Sequence, residues 1–518
     1  MNSTTTWITN KVSRLLPHGS ARDKPAVDTA EVSGKKQVPA PADIQQSAIQ
    51  KVVSSAPADA GKASAATSGK PAARSLGERL SGSLRHADEA LSPRLLRRAL
   101  GELRAIVDPQ VSEIEGGRRA QAVARWYGAA PMDQRRDVWL LMSEQFVADP
   151  IVVKAAQAQL AAAAGTVDEA AAEVHFRRAT VSPRRRLLQR FSVFPEGIRF
   201  LVDLRADMLP HLKADRRLQA LDVEMEYMFS TWFDVGFLDL RRISWDSPAS
   251  LIEKLIKYEA VHDIKSWADV KNRLDSDRRC YGFFHPRLPD EPLIFVEVAL
   301  MDEMSDSITP LLDESAAAAD LKKATAAIFY SISNTQAGLR GVSFGDSLIK
   351  RVVELLKVEF PKLKVFATLS PIPGFRAWLG KNAKTLLDRL DDKHRVQLGR
   401  ALGFEPPGAE HLLSAADKAL ALDDKSPARK MLLRCAAHYL GTEMQGGKPL
   451  DPVARFHLNN GARVERLNWA ADPSAKGLKQ SCGLMVNYLY DLKRLDRHRA
   501  LLTQGKIAVS PSIEDLQF

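Results

Sequence analysis

Three glycines fall within eight residues of the segment GLRGVSFGDSLI, which spans Gly338 to Ile349, and an apolar pattern with helical spacing follows directly. Glycines let backbone N–H groups approach an anion closely, and the first turn of a helix adds free N–H donors and the positive end of the helix dipole. The segment therefore predicts a phosphate-binding loop at the start of a helix. A tight turn with helix-capping glycines is the alternative that the loop alone leaves open.

The residues around these glycines do not match two common nucleotide-binding loops. A dinucleotide fold requires GxGxxG at its first strand–helix turn, and a Walker loop requires a Lys after its last glycine, where this chain has Asp346. The segment instead resembles the pyrophosphate loop of the acyl-CoA N-acyltransferase superfamily, whose pattern is R-G-x-G-apolar-G-x-x-L-L. The resemblance implies that backbone amides bind coenzyme A. The substrate-binding residues that it predicts, with a Ser in place of the middle glycine, are Arg340, Gly341, Val342, Ser343, Phe344, Gly345 and Asp346.

A second segment, FHLNNGA from Phe456 to Ala462, stands where the same superfamily often carries an F-Y-x-x-x-G-[FA] signature. The Tyr of that signature commonly acts as an acid at the thioester, and His457 takes its position here. An unperturbed imidazole has a pKa of about 6.5, and a phenol has a pKa of about 10. The exchange therefore suggests that His457 moves a proton near neutral pH.

Four longer segments resemble the malonyl-CoA decarboxylase family, and the resemblance covers residues from about 89 to 505. The segments are FLDLRRISWDSPASLIEKLIKYEAVHDIKSWADVKNRL, FYSISNTQAGLRGVSFGDSLIKRVVELL, FATLSPIPGFRAWL and FHLNNGARVERLNWAADPSAKGLKQSCGLMVNYLY. The resemblance implies a helical N-terminal domain followed by a decarboxylase domain with the acyltransferase fold. It also implies the reaction, in which malonyl-CoA loses CO2 and the remaining thioester enolate is stabilised and protonated to acetyl-CoA.

The resemblance assigns the two key groups of this reaction to Ser370, in TLSPIPGF, and to His457. It implies that His457 transfers the proton and that Ser370 hydrogen-bonds the malonyl group, although the two roles are open to exchange or sharing. No metal or organic cofactor is expected, because the thioester itself accepts the electrons. From the residues alone, a Ser before a proline is more often a turn residue, and a His at a helix end is more often structural. A CoA-dependent acyltransferase and a non-catalytic CoA-sensing protein are the alternative functions.

Other polar residues of the predicted strands are weaker candidates. Asn487 alternates with Tyr488 and Tyr490 in MVNYLYDL, so it is expected on the opposite face from the two tyrosines, which are predicted to pack in the core. Glu297 lies within the apolar strand FVEVAL and is a candidate for support of the site, because a buried carboxylate needs partners. Cys482 has no neighbour in the sequence that would lower the pKa of its thiol.

The order of the predicted elements indicates an α+β protein with two folded domains. Residues 1–88 are rich in Ala, Ser, Pro and Lys and are predicted to be a disordered tail. Residues 89–235 have helical patterns throughout and are predicted to form an all-helical domain that makes oligomer contacts. Residues 236–505 are predicted to form a mixed α/β, acyl-CoA N-acyltransferase-like domain with a helical insertion from about 375 to 440. Residues 506–518 are assigned to a C-terminal tail.

Composition limits the partners and the compartment. The net charge is +11, from 74 Lys and Arg against 63 Asp and Glu, but no basic run is interleaved with aromatics, so no nucleic acid partner is expected. No apolar stretch reaches about 18 residues, so no membrane partner is expected. The three cysteines form no CxxC pair, which fits a reducing compartment. We expect a cytoplasmic homo-oligomer, a dimer or tetramer. A mitochondrial transit peptide is the alternative, because the first 22 residues lack Asp and Glu.

Overall fold

The computed structural model describes residues 74–87, 89–342 and 348–518 of the chain. Most of the predicted disordered tail lies outside these ranges. The predicted phosphate loop is described only at its start, up to Val342, and again from the helix that follows it. The predicted binding residues that lie outside the described ranges are Ser343, Phe344, Gly345 and Asp346.

A short helix, α1 (Leu76–Ser81), begins inside the segment that the sequence assigns to a disordered tail. Leu76 is buried, and the buried Arg79 donates two hydrogen bonds of 2.6 Å to Asp137. Because these contacts attach the helix to the helical region, the prediction of a tail up to residue 88 is wrong for residues 74–87. The short apolar pattern of this segment is too weak a signal for a sequence-based prediction, and a partner more than fifty residues away completes it.

The N-terminal part of the described chain is helical, and residues 89–238 contain no strand. Several of these helices begin at a residue whose side chain accepts a backbone N–H of the first turn, followed by a proline, as Ser92 does before α2. The helices are α2 (Pro93–Val107), α3 (Glu113–Ala129), α4 (Met132–Glu144), α5 (Pro150–Ala163), α6 (Glu169–Thr180), α7 (Pro183–Phe191), α8 (Gly197–Met208) and α9 (Gln219–Trp232). The prediction of a helical N-terminal region is therefore confirmed.

A mixed sheet with helical connections makes up the rest of the described chain. The strands are β1 (Asp239–Ile243), β2 (Arg278–His285), β3 (Leu288–Met301), β4 (Ala326–Asn334), β5 (Val365–Thr368), β6 (Ser370–Pro371), β7 (Met444–Gln445), β8 (Lys448–Pro449), β9 (Arg463–Asn468) and β10 (Met485–Leu489). The helices are α10 (Ala249–Tyr258), α11 (Trp267–Arg273), α12 (Leu348–Glu359), α13 (Phe375–Asp388), α14 (Asp392–Leu402), α15 (Ala409–Asp417), α16 (Pro427–Gly441), α17 (Pro452–Asn459), α18 (Ala475–Ser481), α19 (Leu495–Thr503) and α20 (Pro511–Glu514). The predicted helical insertion corresponds to α13–α16.

The strand order of the main sheet is β1-β2-β3-β4-β5-β10-β6, and β9 pairs with β10. The sequence predicts a hairpin with its turn in RLPDEP, residues 287–292. The antiparallel β2–β3 hairpin is present, but its turn lies at Pro286 and Arg287, and residues 288–292 already belong to β3. Strands β4 and β5 are parallel, and a parallel pair needs a crossover connection. That connection contains the glycine-rich segment and α12, so the segment follows the end of a central strand, as the sequence predicts. The strands β7 and β8 form a separate ribbon.

Strand β4 is irregular at its middle residue, Tyr330. Phe329 pairs with Val298 and Ser331 pairs with Glu297, so Tyr330 is an extra residue in the ladder with β3. Phe329 packs in the main hydrophobic core, whereas Tyr330 packs in a smaller cluster of buried residues. A bulge of this kind bends a strand and redirects its side chains. It therefore sets the shape of the sheet beside the site.

The last residues of the chain are packed against the sheet, so their assignment to a C-terminal tail is wrong. Val509 forms a bridge with Val464 of β9, and Ser510 donates a 2.6 Å hydrogen bond to the carbonyl of Glu465. Ile513 of α20 is buried in the main core. Residues 506–518 therefore continue the mixed domain. No helix in the described part of the chain is long and apolar enough to cross a membrane.

Candidate active site

Helix α17 positions His457, and local sequence signals define both ends of this helix. Asp451 caps its start by accepting the N–H groups of Val453 and Ala454 at 2.9 Å, and Pro452 follows at the first helical position. The chain turns away after the helix at Gly461, which has a φ of +85°. A Cβ at that glycine would lie 2.7 Å from the carbonyl oxygen of Leu495, so a glycine is required there.

Ser370 lies on the short strand β6, beside β10. Its backbone pairs with Val486, and its side chain is 5% exposed. The Ser370 hydroxyl donates a 2.8 Å hydrogen bond to the hydroxyl of Thr368, which in turn accepts the backbone N–H of Tyr488 at 3.1 Å. The proline that follows restricts the backbone. The Ser370 hydroxyl therefore has a fixed direction, which the sequence predicts only in part because it does not indicate the role of Thr368.

Ser370 and His457, which are 87 positions apart in the sequence, are in contact. The Oγ of Ser370 lies 3.3 Å from the Nε2 of His457, and the imidazole is 3% exposed. The hydroxyl of Tyr490 lies 2.7 Å from the Nδ1 of His457. The ring of Tyr488 stacks on the imidazole with 4.7 Å between centroids. Three side chains, those of Ser370, Tyr488 and Tyr490, therefore fix the ring of His457 or one of its nitrogens.

Tyr490 is a weaker candidate of the sequence analysis, which expected core packing for both tyrosines, and the structure places its hydroxyl against His457. Both tyrosines are buried, as expected, but they contact His457 instead of serving only to fill the core. Asn487 lies on the other side of β10, where it hydrogen-bonds the carbonyl of Thr368 at 2.7 Å. The sequence did contain a signal for this contact. Tyr488 and Tyr490 are two residues apart, so a strand places both side chains on the same face.

The contact with Tyr490 determines which imidazole nitrogen carries the proton. Burial raises the pKa of the Tyr490 phenol above its usual value, so the hydroxyl keeps its proton. Within the described residues, the Nδ1 of His457 is the acceptor available to this hydroxyl. Tyr490 therefore donates to Nδ1, and a neutral His457 carries its proton on Nε2, toward Ser370. Ser370 can accept that proton in a hydrogen bond because its own hydroxyl donates to Thr368.

Burial lowers the pKa of His457 to about 3. The imidazole is therefore neutral at physiological pH, and it gains a proton only as the pH falls toward that value. The ordinary imidazole pKa of about 6.5 therefore does not apply to His457 in the free protein, because the sequence does not reveal how completely the ring is enclosed. A neutral ring with its proton on Nε2 is a hydrogen-bond donor and a weak acid at that atom.

A small cavity lies against Ser370 and His457, with a volume of about 200 Å³. No Asp, Glu, Lys or Arg is among the described residues that line it. Polar groups come from Ser370, His457 and Asn334, and Tyr330 also lines the cavity. The apolar residues of the lining are Val261, Phe329, Ile332, Pro371, Pro452, Val453 and Phe456.

A second cavity of about 340 Å³ lies against the start of the glycine-rich segment. Arg340, Gly341 and Val342 line it, which brings three of the predicted substrate-binding residues to one surface. Arg340 is exposed and makes no ion pair within the described ranges. Asn334 and Phe456 line both cavities. The two cavities therefore adjoin, and neither shared residue was a candidate from the sequence.

The remaining polar candidates lie outside both cavities. Glu297 is buried and forms an ion pair with Arg273 at 3.0 Å, so this carboxylate has a structural role within the sheet and does not line either cavity. Burial raises the pKa of the Cys482 thiol to about 11, which leaves it unreactive at neutral pH. The described residues contain no group of three or more His, Cys, Asp or Glu side chains that could hold a metal ion.

Comparisons with known proteins agree over nearly all of the described chain. A family model for the malonyl-CoA decarboxylase N-terminal domain matches residues 146–233, and one for the malonyl-CoA decarboxylase C-terminal domain matches residues 236–517. Mitochondrial malonyl-CoA decarboxylase of Rattus norvegicus is 40% identical over 341 residues, which are 62% of this chain and 68% of the relative. The Mus musculus protein is 38% identical over 401 residues, which are 73% of this chain and 80% of the relative.

Solved structures give the same result. The crystal structure of malonyl-CoA decarboxylase from Rhodopseudomonas palustris aligns with a TM-score of 0.71 and 40% identity, over 81% of this chain and 99% of that one. The structure from Cupriavidus metallidurans aligns with a TM-score of 0.66 and 44% identity, over 82% and 100%. The C-terminal family model alone matches more than half of the sequence. The chain therefore belongs to the malonyl-CoA decarboxylase family of carboxy-lyases, and it converts malonyl-CoA to acetyl-CoA and CO2.

Proposed function

We propose that Ser370 and His457 are the catalytic residues of this decarboxylation, and that the segment from Arg340 to Asp346 binds the phosphates of coenzyme A. The observation that carries the proposal is the contact between Ser370 and His457 at the wall of a small uncharged cavity. The cavity adjoins a larger one at the glycine-rich segment. The malonyl group would occupy the smaller cavity and the nucleotide end of coenzyme A the larger one, with Asn334 and Phe456 beside the chain that joins them.

Loss of CO2 breaks the bond between the carboxylate carbon and the α carbon. The electron pair moves into the thioester, and its oxygen takes the negative charge. A carboxylate moved from water into a cavity without a countercharge is destabilised, which favours the step that removes it. Donors directed at the developing oxyanion stabilise the product of this step. For this purpose the Ser370 hydroxyl would turn from Thr368, to which it donates in the free protein, toward the thioester oxygen, while its Oγ keeps the hydrogen bond from the Nε2 of His457.

Protonation of the enolate completes the reaction. The Nε2 proton of His457 passes to the α carbon, directly or through the hydroxyl of Ser370, and gives the methyl group of acetyl-CoA. A proton from water then restores the imidazole, so the net reaction consumes one proton and releases one CO2. The hydrogen bond from Tyr490 to Nδ1 supports the proposal, because it holds the transferable proton on the nitrogen next to Ser370.

Replacing Tyr490 with Phe should lower kcat about tenfold and leave KM unchanged, since one hydrogen bond to the imidazole is lost. The imidazole should then no longer be held with its proton on Nε2. Nitrogen NMR of labelled histidine measures this directly: wild-type His457 should remain neutral and Nε2-protonated between about pH 5 and pH 8, and the variant should populate both tautomers.

Tyr127→Phe is the matched control for this variant. Tyr127 is also buried and its hydroxyl also has a polar partner, Asp207, but it lies in the helical region. A Tyr490→Phe enzyme with the kcat of the control, and with the His457 proton still on Nε2, would exclude a positioning role for Tyr490.

Arg340→Ala should raise the KM for malonyl-CoA about tenfold with little change in kcat, because a hydrogen bond from a charged group to a phosphate is lost. The side chain lines the larger cavity and has no partner among the described residues, so its loss should not affect stability. Steady-state kinetics measure the effect. Arg400→Ala is the control, since Arg400 is also exposed but lies on the helical insertion. An unchanged KM for Arg340→Ala would place the phosphates elsewhere.

The thioester of the substrate can serve as the electron acceptor of the reaction, so the protein is proposed to work without a metal or organic cofactor.

A homo-oligomer is also proposed. Apolar side chains exposed on the helical region support it, among them Leu95, Ile114 and Trp126. Sedimentation would distinguish a dimer or tetramer from a monomer of 57.2 kDa. The proposed location is the cytoplasm, and mitochondrial import is the alternative, since the mammalian relatives are named as mitochondrial proteins.

A further inference from the structure

An arginine of the helical region is bonded to the backbone at the start of the glycine-rich segment. Arg205 of α8 is 1% exposed. Its Nη1 donates to the carbonyl oxygens of Gly338 at 2.8 Å and Arg340 at 2.9 Å. Its Nε donates to Asp222 of α9 at 2.8 Å, and Glu226 lies 3.7 Å from Nη2. A buried guanidinium therefore connects two helices of the N-terminal region to the candidate coenzyme A loop.

The backbone of this segment lies directly on α8. A Cβ at Gly338 would be only 1.9 Å from the carbonyl oxygen of Val202, so no other residue fits without movement of one element. Arg199, also on α8, donates a 2.7 Å hydrogen bond to the side chain of Gln336. The contacts with α8 therefore fix both the position and the orientation of the peptide groups that precede the glycine-rich segment.

Among the described residues of this segment, Gly341 lines the larger cavity and its N–H group has no hydrogen-bond partner. The N–H of Arg340 bonds to the carbonyl of Ala337, and the N–H of Val342 bonds to the carbonyl of Leu339. The N–H of Gly341 has no partner among the described residues. Gly341 has a φ of +85°, is exposed and lines the cavity. In a trans peptide the C=O and N–H point in opposite directions. Because Arg205 holds the carbonyl of Arg340, it directs the N–H of Gly341 away from α8.

We propose that Arg205 is a positioning residue for the phosphates of coenzyme A. It acts through the peptide between Arg340 and Gly341. The hydrogen bond to the carbonyl directs the N–H of this peptide toward the cavity, and by polarising the carbonyl it makes the N–H a stronger donor. This inference rests on the proposed assignment of the phosphates to this loop. It gives the N-terminal helical region a role in substrate affinity, because the guanidinium that fixes the loop is held by residues of α9.

The geometry requires arginine and not only a positive charge. Arg205 contacts two carbonyl oxygens and one carboxylate at hydrogen-bond distance with a rigid planar group. A lysine ammonium is a compact charge on a flexible stem and cannot reproduce this fork. Arg205→Lys therefore keeps the buried charge for Asp222 and loses the orientation of the peptide. It is the variant that separates charge from position.

The experiment compares malonyl-CoA with malonyl-pantetheine, a thioester that carries the same malonyl group but lacks the nucleotide and its phosphates. For Arg205→Lys we expect the KM for malonyl-CoA to rise about tenfold, the equivalent of one charge-assisted hydrogen bond. The kcat for malonyl-CoA and the kcat/KM for malonyl-pantetheine should both stay within about twofold of wild type, because the reacting end is unaffected.

Arg184→Lys is the matched control. Arg184 is buried in the same helical region and donates to the backbone carbonyls of Met142 and Ala220, but it does not contact the glycine-rich segment. Its substitution should leave KM for both substrates unchanged.

Asp222→Asn is a milder second variant, since it leaves Arg205 in place and weakens its support. If Arg205→Lys does not fold, a rise in KM for malonyl-CoA alone in Asp222→Asn supports the inference, and an unchanged KM overturns it.

The outcomes separate this inference from the proposed function. A wild-type enzyme with equal KM for the two substrates would overturn the phosphate assignment, and the role of Arg205 with it. A wild-type preference for malonyl-CoA that Arg205→Lys retains in full would overturn the role of Arg205 alone. A loss of equal size on both substrates would show that Arg205 supports the domain in general and does not position the phosphate loop.

Discussion

His457→Ala should lower kcat for malonyl-CoA by about 10²–10⁴-fold, the range for loss of a positioned acid or base. In free energy this is a loss of about 3–5 kcal/mol of transition-state stabilisation. The KM should remain close to the wild-type value, because coenzyme A is proposed to bind mainly through the separate cavity at Arg340 and Gly341. The measurement is kcat and KM on malonyl-CoA, with circular dichroism to verify the fold.

His457→Tyr is the sharper variant of the same prediction, since it introduces the Tyr of the acyltransferase signature that the segment FHLNNGA resembles. We expect a folded protein that decarboxylates poorly, because a phenol cannot reach Ser370 and accept from Tyr490 with the geometry of an imidazole. His438→Ala is the control for loss of a buried histidine from the last turn of a helix. It should affect stability and leave kcat unchanged. A folded His457→Ala enzyme within about threefold of the wild-type kcat would remove His457 from the mechanism.

Ser370→Ala should lower kcat by about 10²–10³-fold, the loss observed when one donor to a developing oxyanion is removed. The hydroxyl is within reach of the Nε2 of His457 and faces the small cavity, so its loss removes both a donor and the relay between the imidazole and the substrate. The surrounding backbone should be unaffected, because Val486 pairs with Ser370 through main-chain atoms. Steady-state kinetics on malonyl-CoA measure the effect.

Ser481→Ala is the matched control, since Ser481 is also buried and its hydroxyl donates a 2.6 Å hydrogen bond, but it lies away from both cavities. The double variant Ser370→Ala/His457→Ala adds a second test. Residues that act as a unit have strongly non-additive effects, so the double variant should be only slightly slower than His457→Ala. Full additivity would contradict a joint role, and a Ser370→Ala enzyme with wild-type kcat would exclude Ser370.

The sequence predicted the parts of the fold that local patterns encode. The apolar run FVEVAL lies in β3, the two β-rich runs near RLPDEP form the β2–β3 hairpin, and Ser92 and Pro93 begin α2. The pairing of Ser370 with His457 was reached through resemblance to a family, because nothing in the local sequence joins residues that far apart. The helix at Leu76 was missed, since the ion pair of Arg79 with Asp137 depends on tertiary structure.

The chemistry of the site was less predictable than its residues. The low pKa of His457 results from complete burial beneath Tyr488 and Phe456, and a sequence does not state how deeply a side chain is enclosed. The role of Tyr490 depends on the register that directs its hydroxyl at Nδ1. Arg205 carries no local signal at all, because its partners are backbone carbonyls of a segment more than a hundred residues away.

The central claim is that protein side chains alone catalyse the decarboxylation. The most direct test is to measure malonyl-CoA turnover after exhaustive dialysis against a chelator. Wild type, His457→Ala and Ser370→Ala are assayed side by side, without an acyl acceptor. The wild-type enzyme should retain its full kcat and release acetyl-CoA and CO2 in equal amounts, and both variants should be folded and at least about a hundredfold slower. Loss of wild-type activity that a divalent cation restores, or variants as fast as the wild type, would contradict the account.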